Sequence, residues 1–91
     1  MPHSPAAKKR ALLRVRRIRG QLDALERALA DGADCAAVLQ QLAAARGALN
    51  GLMAEVFESH LRESLAAPVA RPGQRRSDLD AAVALVRRYL K

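Results

Sequence analysis

DCAAVLQQLAAARGALNGLMAEVFESHLRESLA, residues 34–66, reads as one uninterrupted helix. Cys35, Val38, Leu42, Ala45, Leu49, Leu52 and Val56 recur at helical spacing in a stripe that runs on to His60, and Leu39, Met53 and Phe57 widen it. Asp34 is a suitable N-cap, because its side-chain oxygen can accept from an orphan amide of the first turn. A helix of this length extends about 50 Å. Ala43, Ala44 and Ala45, with Gly47 and Gly51, leave room along it for a closely packed partner. Arg46 intrudes near the stripe and is read as snorkelling or paired at an interface. Cys35 and His60 fall only about 20° apart around the axis, yet about 37 Å apart along it. One chain cannot bring them together. Two copies packed antiparallel set Cys35 of one beside His60 of the other, and a thiol facing an imidazole across a subunit interface suggests a sensor.

A shorter helix over roughly 6–30 precedes this one. Ala11, Val15, Ile18, Leu22, Leu25 and Leu29 form its seam, with Lys8, Arg16 and Arg19 on one flank and Arg10, Arg14 and Arg17 on the other. Gly20 interrupts its interior and is expected to permit close approach of another backbone. Asp31-Gly32 ends it. After residue 66 a linker is expected over Ala67 to Arg76, containing Pro72-Gly73. Ser77 and Asp80 then resemble a capping box for a third helix whose apolar side is Leu79, Val83, Val86 and Leu90. No segment reads as a strand, so the expected class is all-α, one domain over 1–91.

Composition narrows the function. All seven basic residues of the first nineteen positions stand without an acid, whereas the rest of the chain holds nine basic and nine acidic residues. The net charge of +7 therefore belongs to the first third of the chain, which favours a polyanionic partner over a merely solvated surface. Phe57 and Tyr89 are the only aromatics, too few for a base-stacking platform. Lys and Arg contacts to double-stranded DNA, driven by counterion release, remain the expected mode. A lone cysteine and the lack of a long apolar run fit a reducing cytoplasm and no membrane span. One thiol and two histidines supply no supported triad, phosphate loop or complete catalytic metal site, so an enzyme is not expected.

The segment RVRRIRGQLDALERAL (residues 14–29), then Cys35, VLQQLAAARGALNGLMAEV (residues 38–56) and His60, resembles the CsoR/RcnR family of bacterial transcriptional repressors over nearly the whole chain. Its start, Met1-Pro2-His3-Ser4-Pro5, and its end, Leu90-Lys91, are most similar to the formaldehyde-responsive branch. The resemblance implies an antiparallel helix-bundle dimer that assembles as a dimer of dimers, binds operator DNA without a helix-turn-helix, and is released by an effector held between Cys35 and a neighbouring subunit. It points to Arg14 and Arg17 first for DNA, then to Lys9, Arg10 and Arg16. Shape readout of a G/C-rich tract is also expected from it.

The same likeness separates effectors. Copper and persulfide sensors of the family carry a second cysteine four residues after the position of His60, and nickel and cobalt sensors a histidine; this chain has Ser64. Copper(I) thus loses a soft ligand and persulfide chemistry its resolving thiol. Formaldehyde needs neither. Removal of Met1 exposes the secondary amine of Pro2, and an α-amino group with a pKa of about 7.7–8.0 is partly neutral in the cell. Such an amine condenses with formaldehyde to an iminium ion, which the Cys35 thiolate captures as an N–CH2–S bridge, or the thiol adds first; either route needs the two groups held together. No cofactor is required. The runner-up is a zinc-, cobalt- or nickel-responsive repressor that uses His3, Cys35, His60 and the N-terminal amine, with Glu63 contributing if its carboxylate turns inward. A different class, a basic amphipathic helix docking on acidic partners or membrane, leaves Cys35 and His60 unexplained.

Overall fold

The computed structural model describes residues 3–66 and 68–90. They form three helices and no strand: α1 (Pro5–Ala30), α2 (Cys35–Ala66) and α3 (Gln74–Tyr89). The ends of the first two follow from local chemistry. Ser4 Oγ accepts from the Ala7 amide at 3.2 Å, and Pro5 occupies the start of α1, where a missing N–H costs nothing. Gly32 takes a left-handed φ of 71° after Asp31, while the Ala33 amide reaches back to the Ala28 carbonyl at 2.9 Å. Asp34 Oδ1 then accepts from the Ala37 amide at 2.8 Å and opens α2.

This short turn folds α1 back along α2. Arg10 and Arg14 both reach Glu55, and His3 reaches Glu63, so residue numbers on facing turns add to a nearly constant value, as in an antiparallel hairpin. Ile18 and Ala45 are buried near the middle of the pair. Gly20 does not bring another backbone close within the protomer, because nothing lies within 4 Å of where its Cβ would stand.

The third helix begins earlier than its sequence suggests. Gly73, at φ 78°, turns the chain after Pro72 and stands at the N-cap position, and the Ser77 amide already donates to the Gly73 carbonyl at 3.1 Å. Ser77 is therefore inside α3, and the Ser77/Asp80 capping box is not formed. The linker closes instead through Gln74 Oε1, which accepts from the Ala70 amide, and Arg75 Nη1, which donates to the Leu65 carbonyl at the end of α2. These contacts hold the start of α3 against the C-terminal turn of α2.

The protomer measures 59 × 28 × 13 Å. Its least dimension is little more than one helix diameter, so both broad faces are open. Apart from Ile18, the buried residues described are alanines: Ala7, Ala45 and Ala82. Leu22, Leu29, Leu39, Leu42 and Leu49 are all exposed. A compact monomer of 9.8 kDa exposes about 5,200 Å², whereas this chain exposes 7079 Å². Exposed large apolar side chains on all three helices contribute to the difference.

Because the Asp34 carboxylate caps α2, the longest of the three helices, Asp34→Ala is expected to lower stability by about 1 kcal/mol. Urea unfolding followed by circular dichroism, at fixed protein concentration, measures it.

Candidate functional site

The hairpin decides which candidate residues meet. The start of α1 lies at the C-terminal end of α2, and there the His3 backbone N–H donates to Glu63 Oε1 at 2.8 Å while His3 Nε2 stands 3.5 Å from Glu63 Oε2. That amide, with the imidazole charge adding to it, holds the Glu63 carboxyl below the usual carboxylate range. His60 lies one turn earlier on α2. It is exposed and lines an apolar groove of about 500 Å³ with Met53, Phe57, Leu85 and Tyr89. The sequence assigns Glu63 only a conditional part as a metal ligand. Its grip on the chain's beginning depends on contact across sixty residues, which no local pattern reveals.

Cys35 is at the other end. It is a free, exposed thiol at the first position of α2, where the backbone amides of the opening turn face outward. Within the protomer it does not join His3 or His60, and no three His, Cys, Asp or Glu side chains among the described residues cluster in a way that could hold a metal ion. The donor set read from the sequence is thus divided, with His3, His60 and Glu63 at one end of α2 and Cys35 at the other. Its nitrogen, sulfur and oxygen donors suit zinc or cobalt chemically, but only a second subunit could complete them. Pro2 lies outside the described residues.

The basic face is partly engaged. Arg14 Nε pairs with Glu55 Oε2, and Arg10 Nε stands 3.5 Å from Glu55 Oε1. Arg17 is exposed and makes no ion pair among the described residues. Lys8, Lys9 and Arg16 surround a shallow hollow of about 300 Å³ floored by Pro5, Leu12 and Leu13. The role of Glu55 escapes the sequence reading. The available signal was that it is the only acid in the first twenty-three residues of α2, opposite a helix whose first half is purely basic. The room at Gly51, expected for a partner helix, is taken by Arg14: its Nη1 lies 3.1 Å from where a Cβ would stand. No helix among the described residues is long and apolar enough to cross a membrane.

Residues 7–88 match the family described as metal-sensitive transcriptional repressor. The chain is 55% identical over its whole length, and that of the relative, to a Serratia marcescens protein known only by its position in the bioA 5′ region. It is 41% identical, again over the full length of both, to the transcriptional repressor RcnR of Salmonella paratyphi B. Among solved structures it resembles a variant of the formaldehyde-responsive regulator FrmR from Salmonella enterica serovar Typhimurium. The TM-score is 0.82 and the identity 55%, with 97% of this chain and 99% of that one covered.

Proposed function

The chain belongs to the family of metal-sensitive transcriptional repressors, the CsoR/RcnR family, and on that premise we propose that it is an operator-binding repressor released by formaldehyde. The sensing groups are the Pro2 amine of one subunit, freed by removal of Met1, and Cys35 of another. The observation that carries this reading is the tie between His3 and Glu63. It fixes the residue that follows Pro2 at the C-terminal end of α2, where an antiparallel partner would deliver its Cys35. The likeness to FrmR supports the choice of effector.

The chemistry balances without a cofactor. The amine adds to formaldehyde and water leaves, giving an iminium carbon; the thiolate adds to that carbon, and the thiol proton accounts for the second hydrogen of the water. Each bridge adds one carbon and no net hydrogen or oxygen, about 12 Da, and proximity replaces a bimolecular encounter. Peptide mapping of formaldehyde-treated protein is expected to join Pro2 to Cys35. Cys35→Ala should abolish both the bridge and release from DNA while leaving DNA binding intact, and His60→Ala should matter less. Full release with Cys35 unmodified contradicts the proposal.

Metal sensing is the second reading, favoured by the family's own description and by the RcnR relative. His3, Cys35 and His60 would be the ligands. Ser64 leaves six-coordinate cobalt or nickel one imidazole short, so Ser64→His is expected to strengthen a cobalt response. Operator release titrated in parallel with formaldehyde and with buffered metals separates the two readings.

The exposed leucines of α2 support an antiparallel dimer as the unit that joins the two halves of the site, and a dimer of dimers as the working species. Leu49 lies near the centre of that pairing. Leu49→Asp is expected to break the assembly, because an unpaired charge buried at the contact is costly; multi-angle light scattering reads the result, and wild-type protein that stays a folded monomer at micromolar concentration contradicts it.

The DNA face we assign to α1, with Arg14 and Arg17 leading and Lys9, Arg10 and Arg16 behind them. Arg17→Ala is the cleaner test, since Arg17 holds no ion pair among the described residues. It should weaken operator binding without loss of helicity and reduce the slope of log affinity against log salt by about one for each phosphate no longer neutralised. Fluorescence anisotropy with a duplex selected from a random-sequence pool measures both.

A further inference from the structure

Glu55 sits beneath two arginines of the basic face. Its side chain is 18% exposed, against 47% for Arg14 and 64% for Arg10. Its Oε2 is shut off from solvent and receives no aligned hydrogen bond, so the charge of Arg14 is what compensates it. On the other side the Arg14 guanidinium lies against the bare backbone of Gly51, with Nη1 and Cζ 3.1 and 3.9 Å from the position a Cβ would take. A flexible arginine is thus held at two points, one electrostatic and one steric, while half of it stays open to solvent.

Two consequences for DNA binding oppose each other. The carboxylate lowers the positive potential of the face, which weakens any polyanion equally. It also removes the rotamer freedom that a free arginine must give up on docking in one geometry, which helps only a contact that needs that geometry. We propose that Glu55 and Gly51 form a seat that presets Arg14, making Glu55 a positioning residue that discriminates operator from other DNA. The proposal rests on the assignment of α1 as the DNA face.

The signs differ for the two kinds of DNA, and this makes the seat testable. Anisotropy titrations compare a duplex selected by the wild-type protein from a random pool with a scrambled duplex of the same length and composition. Glu55→Ala is expected to strengthen binding to the scrambled duplex, since each protomer loses a negative charge, and to weaken binding to the selected one, so that their ratio falls at least tenfold. Glu55→Gln, which removes the charge but keeps the side-chain bulk beside Arg14 Nε, should fall between. Gly51→Ala changes no charge; it should lower the selected-duplex affinity a few-fold and leave the scrambled one unchanged, and it keeps the test open if Glu55→Ala fails to fold. In the Arg14→Ala background neither change should alter the ratio further.

A rise on both duplexes, or an unchanged ratio in the Glu55 and Gly51 variants while Arg14→Ala weakens selected-duplex binding, overturns the seat alone. If Arg14→Ala itself leaves that binding unchanged, the assignment of the DNA face fails and the seat with it.

Discussion

A layer one helix thick cannot enclose a core, and the rest of this protein's behaviour follows from that. Antiparallel α1 and α2 bury Ile18 and Ala45 between them, while the leucines at 22, 29, 39, 42 and 49 remain on open faces. The apolar residues are too many for the protomer and too regularly spaced to be incidental. In the proposed antiparallel dimer, another copy covers them and supplies the missing layer. The same pairing is the arrangement in which the two ends of α2 can share one site. In the proposed dimer, stability of the assembly and completion of the sensor draw on the same contact.

The hairpin also sorts the charges. It carries the beginning of α1 to Glu63 and the first basic turns to Glu55, so the two carboxylates anchor successive parts of the same strongly cationic segment. Glu63 holds the part adjoining the proposed sensing terminus, and Glu55 holds two arginines of the proposed DNA face. Both sit on α2, the helix that also bears Cys35 and His60. In the proposed mechanism, α2 is therefore the single element that links a chemical event at its ends to an electrostatic one on α1.

Much of this was legible in the residues, and what was not has a common cause. The C-terminal end of α1 and the start of α2 could be read because Asp31-Gly32 and Asp34 act on their own neighbours. The separation of Cys35 from His60 could be read because a straight helix fixes it. The start of α3 could not, because Ser77 has the right spacing for a cap while Gly73 sets the helix going a turn earlier, aided by an Arg75 contact to the end of α2. The partners of His3, Arg10 and Arg14 depend on the register between two helices. Gly51 shows the same limit: its missing side chain signalled a close approach, but only the hairpin register showed that the approaching group was an arginine from the same chain.

The claim on which the account turns is that the site is completed by an antiparallel partner. Wild-type protein, whose only thiol is Cys35, can be mixed and reassembled with an equal amount of the Cys35→Ala/His60→Cys variant and equilibrated in a glutathione redox buffer. Non-reducing mass spectrometry then reads the disulfides. A mixed disulfide between Cys35 of one subunit and the position-60 thiol of the other is expected as the main product. A product dominated by Cys35–Cys35 links, as parallel helices would give, or an intact oligomer with no intersubunit disulfide, would contradict it.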